Sequence, residues 1–218
     1  MPARAKPARS RKPAAKAAPK QTGNPPVKRP DCRLYFGMTG SGKSVLWRHQ
    51  CARDRRLIVW DPELENDKIA VPVSSARALL EAVRSRTFRV AVQLPATVES
   101  FEFVNRVALA VGNLTLVWEE AHNMMSAQRL PPVARRLATA GRHSGIKLRV
   151  VSQIPKAIHQ DIRQNATRIM AFNFREPLQI KYLRDRIGPG AERVADLECY
   201  SALDWTNSGL SIKKSPFN

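Results

Sequence analysis

A chain of 218 residues has room for one domain of good size and little beside it, so large accessory domains are not expected. Its formal net charge of +19 suits a polyanionic partner, nucleic acid above all, although basic surfaces also serve anionic membranes and solubility. Cys32, Cys51 and Cys199 are odd in number, far apart and without CxxC spacing. That argues against a disulfide framework and a zinc or redox motif, and agrees with free thiols in a reducing cytosol.

Residues 1–30 carry nine Lys or Arg, no acid and seven prolines, so they supply +9 and leave +10 for the remainder. Prolines forbid a continuous helix and there is almost no apolar bulk to bury, which predicts a disordered basic tail. Such a tail touches nucleic acid electrostatically, or solubilises or localises the chain; the composition does not separate these. A single folded domain is expected over residues 31–218.

The first apolar run, Cys32 to Phe36, predicts a strand that leads straight into Gly37, Met38, Thr39, Gly40, Ser41, Gly42, Lys43 and Ser44. This octapeptide fits GxxxxGK followed by Ser or Thr without a mismatch, the pattern of a phosphate-binding P-loop. Glycines let the backbone turn its N–H groups around the β- and γ-phosphates, Lys43 adds a compact positive charge, and the Ser44 hydroxyl can ligate Mg²⁺ beside the next helix. A nucleoside triphosphate, ATP with Mg²⁺, is the expected ligand. Further strands are predicted at Leu57 to Trp60, Phe88 to Leu94, Leu114 to Trp118, Leu148 to Val151 and Ile169 to Phe172. Between them Ala76, Leu79, Leu80 and Val83 repeat at helical spacing, as do Val104, Val107, Ala108 and Val111, and Leu130, Val133, Ala134 and Leu137. A helical segment from Pro177 to Ile187 ends near Gly188-Pro189-Gly190, and two short strands around Tyr200 to Asp204 and Leu210 to Lys213 follow. Strands alternating with helices predict an α/β fold, a mainly parallel central sheet flanked by helices, with ligands at the strand C-terminal ends. The longest apolar stretch, Val107 to Trp118, is about half a membrane span and is broken by Gly112 and Asn113, so no transmembrane segment is expected.

Leu114 to Trp118 runs into Glu119 and Glu120, the form of a Walker B segment. A buried strand would deliver both acids to the sheet edge, Glu119 to hold the metal or its water shell and Glu120 to orient and deprotonate the attacking water. Asp61 after the second strand either approaches the nucleotide edge or, standing before Pro62, serves a turn. His122 either starts the next helix or couples the acids to neighbouring elements. Gln153 follows the strand Leu148 to Val151, where an amide can hydrogen-bond the γ-phosphate or the water and report hydrolysis. Arg142 lies on a loop before that strand, from which an arginine could reach a nucleotide in a neighbouring subunit. The expectation is that Glu119, Glu120, Arg142 and Gln153 gather with the P-loop on one sheet edge.

Together the P-loop, Asp61-Pro62, Glu119 to His122, Arg142 before Ser144-Gly145, and Ser152 to Pro155 with Asn165 downstream resemble the FtsK/HerA superfamily of ring-forming DNA-pumping ATPases. The resemblance covers roughly residues 31–205 and implies a RecA-like P-loop NTPase core, a γ-phosphate sensor at Gln153 and an arginine acting in trans at Arg142. One departure is visible: the family usually has Asp then Glu where this chain has Glu119 and Glu120. A bare core with a basic tail is most similar to the genome-packaging ATPases of internal-membrane, tectivirus-like phages. That implies a homomeric ring, a hexamer in the family, moving double-stranded DNA into a capsid, with capsid or portal-vertex proteins as partners. The host cytoplasm or the packaging vertex of the virion would be its place. Two other classes share part of the pattern: a P-loop small-molecule kinase, and a nucleotide-switched nucleic-acid-binding assembly protein.

Overall fold

The computed structural model describes residues 31–214; the tail expected over residues 1–30 lies outside them. In chain order the elements are β1 (Cys32–Phe36), α1 (Lys43–Gln50), β2 (Arg56–Trp60), β3 (Val71–Val73), α2 (Ala76–Ala82), β4 (Phe88–Val92), α3 (Val98–Val111) and β5 (Thr115–Trp118). Then come α4 (Pro132–Ala140), β6 (Lys147–Ser152), α5 (Gln160–Gln164), β7 (Arg168–Ala171), α6 (Pro177–Ile187), β8 (Ser201–Thr206) and β9 (Gly209–Lys214), with short 3-10 turns between. All strands join one sheet in the order β3-β4-β2-β5-β6-β1-β7-β8-β9. Pairings from β3 through β7 are parallel, and β8 and β9 add an antiparallel hairpin at one edge. This is the mainly parallel α/β architecture that the alternation of elements predicts.

The central strands are apolar without interruption because both their faces are covered. Alternate residues divide between two cores: Leu34, Phe36, Ile58, Trp60, Leu116 and Trp118 face one side, and Tyr35, Leu57, Val59 and Val117 face the other. On the first side Phe101 of α3 stacks edge-on between Trp60 and Trp118, at 5.5 and 5.2 Å between ring centres. Asn105 of the same helix accepts from the Trp118 indole at 2.9 Å. These contacts fix the last residues of β2 and β5, the two strands whose ends carry acids.

Two order-setting choices place the site. First, β6 is inserted between β1 and β5, with Phe36 level with Ser152 and Trp118 level with Val150. Whatever follows β6 therefore emerges between the loop after β1 and the acids after β5. Second, α4 begins at Pro131-Pro132, which offers no capping side chain. The buried Glu102 carboxylate of α3 accepts instead from the Val133 and Ala134 N–H groups, both at 3.0 Å, satisfying two donors that the helix start leaves open.

Candidate functional site

The loop between β1 and α1 is wrapped tightly enough to need its glycines. Gly42, at φ 108, starts α1 in the left-handed region, and a Cβ on Gly37 would lie 2.6 Å from both the Phe172 Cβ and the Ser41 Oγ. Lys43 is buried and its ammonium donates to the Met38 carbonyl across the loop at 2.9 Å. Burial lowers its pKa, against the opposing pull of Glu120, Glu119 and Glu65. A cavity of about 480 Å³ opens over the loop, lined among others by Thr39, Lys43, Ser44, Glu120 and Gln153. The hydroxyl of Ser41 is buried within the loop without a hydrogen-bond partner.

The two acids part company at the end of β5. Glu119 continues the strand, its N–H donating to the Trp60 carbonyl at 3.2 Å, and its side chain turns under α1. There Oε1 accepts from the Trp47 indole at 2.6 Å and from the Ser44 hydroxyl at 3.3 Å. Burial pushes the Glu119 carboxyl up to about 7, against the pull of the Trp47 hydrogen bond. Glu120 takes a left-handed backbone, φ 46 and ψ 44, rare for a residue with a side chain, and so swings to the other side of the cavity. Its Oε1 accepts from the Gln153 amide at 3.1 Å, and the Gln153 carbonyl oxygen accepts from Thr39 at 2.9 Å. A single amide thus ties the P-loop to the second acid. His122 stands behind, with Nδ1 3.3 Å from the other Glu120 oxygen and 3.3 Å from the Ser152 hydroxyl. Burial lowers the His122 pKa despite Glu120, which favours a neutral ring at neutral pH. Both readings of His122 meet here: it lies in the short 3-10 turn Ala121–Asn123 that follows the acids, and it couples Glu120 to Ser152 at the end of β6.

Among the described residues no three His, Cys, Asp or Glu could enclose a metal ion. The neighbouring Ser44 hydroxyl and Glu119 carboxylate nevertheless suit Mg²⁺, which commonly takes one or two protein oxygens and fills its shell with phosphates and water. Asp61 proves to be a turn residue: it is fully buried and accepts from the Glu65 and Asn66 backbones, the Asn66 amide and Gln93. It shapes the turn that carries Glu63 and Glu65 to the cavity wall.

Arg142 is not at this edge. It lies in the turn before β6, exposed, beside a small cavity that it shares with Asp31, Leu148 and Asn165. The six residues of β6 separate it from Gln153 by about 20 Å. A residue that precedes a parallel strand stands at the strand's N-terminal end, so the expected gathering of all four side chains on one edge holds for Glu119, Glu120 and Gln153 and fails for Arg142. Sequence reasoning also passed over Trp47 and Tyr200. The spacing of Trp47, one turn after Lys43 on the same helix face, was a usable signal; nothing local marks Tyr200.

Fold and loop together define this chain as having the architecture of a P-loop NTPase. Its structural neighbours include viral genome-packaging ATPases. The chain superposes on the genome-packaging NTPase B204 of Sulfolobus turreted icosahedral virus 2, in complex with AMPPCP, with a TM-score of 0.75 and 22% identity, over 87% of this chain and 99% of that one. For B204, the DNA-packaging ATPase of Sulfolobus turreted icosahedral virus, the TM-score is 0.69 at 25% identity, over 85% and 97%. Protein P9 of Pseudoalteromonas phage PM2 is 28% identical over 137 residues, which span 59% of this chain and 62% of that protein. No family model matches the sequence. No helix among the described residues is long and apolar enough to cross a membrane.

Proposed function

We propose that this chain is an ATPase motor that packages double-stranded DNA into a viral capsid as a homomeric ring, a hexamer by resemblance. The observation that carries the reading is the Gln153 amide, hydrogen-bonded on one side to Thr39 of the P-loop and on the other to Glu120. An amide so placed meets a γ-phosphate as it enters and can pass that event to the acid and to β6. The likeness to packaging NTPases of similar length supports the task, and the +19 charge supports the substrate.

In this reading Lys43 leaves the Met38 carbonyl for the β- and γ-phosphates, and the α1 N-terminus holds them through backbone N–H groups. Ser44 and Glu119 would hold Mg²⁺, which neutralises charge on the phosphates. Glu120 accepts a proton from water as the water oxygen bonds to the γ-phosphorus and the bond to the β-phosphate oxygen breaks, leaving ADP and phosphate. In the proposed ring Arg142 serves a neighbouring subunit, with the N-terminal edge of one sheet set towards the nucleotide edge of the next. Host cytoplasm or a packaging vertex is the setting, with capsid or portal-vertex proteins as partners.

Steady-state ATP hydrolysis, measured with and without duplex DNA, tests the reading. Turnover that DNA stimulates and Lys43→Ala abolishes is expected. Phosphoryl transfer to a small acceptor without DNA stimulation would indicate a kinase, and binding without turnover a nucleotide-switched assembly protein.

A further inference from the structure

The phosphate cradle continues into a second cavity of about 550 Å³, lined by Val45, Arg48, His49, Ala52, Ile69 and Tyr200. Val45 and Tyr200 line both cavities. Tyr200 is held there at some cost. Its backbone lies at φ 61, a region that bulky side chains avoid and where glycine would be free of strain. Its N–H donates to the Ser41 carbonyl of the P-loop at 3.1 Å. Its ring and Cα sit so close over Gly42 that a Cβ there would come within 2.8 Å of the ring and 3.1 Å of the Cα. A strained residue persists where its surroundings impose it, and such residues gather at ligand sites. The imposed conformation keeps an aromatic ring, 37% exposed, at the mouth between the two cavities.

Direction supplies the rest of the argument. Phosphates cradled by the loop and the start of α1 leave the remainder of the ligand to run outward past the residue after Ser44, which is Val45, and so into the second cavity. We propose that Tyr200 is the platform on which the nucleobase stacks, and that the space between its ring and the Val45 to Ala52 face of α1 is the base subsite. The proposal rests on the triphosphate reading of the P-loop. Its ligand class is the nucleobase of a nucleoside triphosphate, gripped by its π-face and by apolar contact with Val45, Ala52 and Ile69. Because every base has a π-face, stacking alone separates ATP from GTP only weakly.

Binding of ATP and of inorganic tripolyphosphate to the full chain, measured side by side by calorimetry, isolates this contribution. Wild type is expected to bind ATP about tenfold or more tighter than tripolyphosphate. Tyr200→Gly, which relieves the backbone strain while removing the ring, is expected to lose about that factor for ATP and nothing for tripolyphosphate. Tyr200→Phe recovers the ATP affinity. In Tyr200→Trp, ATP quenches the new indole emission and tripolyphosphate does not. Equal wild-type affinity for the two ligands, or equal weakening of both by Tyr200→Gly, overturns the base subsite while leaving the phosphate cradle intact. A wild-type protein that binds neither overturns the triphosphate reading and this proposal with it.

Discussion

At the scale of residues, two adjacent glutamates occupy unlike environments because the second, Glu120, takes a left-handed backbone. Glu119 is enclosed under α1 with Trp47 and Ser44, whereas Glu120 faces the cavity beside Gln153. The general-base assignment predicts that Glu120→Gln retains ATP but slows hydrolysis by about 10² to 10⁴, checked by a binding titration beside steady-state turnover. Wild-type turnover in this variant would falsify the assignment. Glu119 gives a pH prediction for the nucleotide-free protein. Its carboxyl sits at about 7 in the fold against an ordinary 4.5, so between those values the folded state binds more protons than the unfolded one. Stability contributed here therefore falls as pH rises through that window. Glu119→Gln, neutral at every pH, should raise the melting temperature at about pH 8 and leave it nearly unchanged at about pH 4. Parallel melting curves for the two proteins across that range would remove burial as the cause.

At the scale of elements, the predicted strands and helices were legible because each carries a pattern its surroundings enforce. Buried central strands must be apolar throughout, and the faces of α2, α3 and α4 must repeat at helical spacing. What escaped was short. The edge strand β3 is only Val71-Pro72-Val73, with two exposed residues and a proline that suits an edge, and α5 spans a single turn and a half. Neither is long enough to show a period. The cap on α4 was equally hidden, since Glu102 lies some thirty residues before the groups it satisfies. Glu102→Ala should destabilise the fold by about 1–3 kcal/mol, a drop of several degrees in melting temperature, by stranding two backbone donors beside the core. Glu102→Gln, which keeps one acceptor oxygen, should fall between. If Glu102→Ala melts with wild type, α4 does not depend on this cap.

At the scale of the whole molecule, the sheet has two unlike edges. One carries the P-loop, Glu119, Glu120 and Gln153; the other carries Arg142. Arg142 stands away from the nucleotide cavity of its own chain, and the proposed role in trans predicts that Arg142→Ala subunits mixed with Lys43→Ala subunits regain part of the activity each lacks alone. No recovery in rings shown to contain both would count against a role in trans. Tracking of phosphates without reading sequence predicts that affinity for a random duplex falls by orders of magnitude between about 50 and 200 mM salt. An affinity indifferent to salt would remove the electrostatic basis of the DNA reading.

The sequence by itself determined the phosphate loop, the order of strands and helices along the chain, and the acids that end β5, because each is written in adjacent residues or in a local period. It could not determine that β6 would lie between β1 and β5. Strand order depends on which apolar surfaces pair across long loops, and no local pattern records that choice. That insertion sets Gln153 between Thr39 and Glu120, and the same parallel strand carries Arg142 away to the opposite edge. The ring of Tyr200 over Gly42, brought from the far end of the chain, was likewise settled only by tertiary packing.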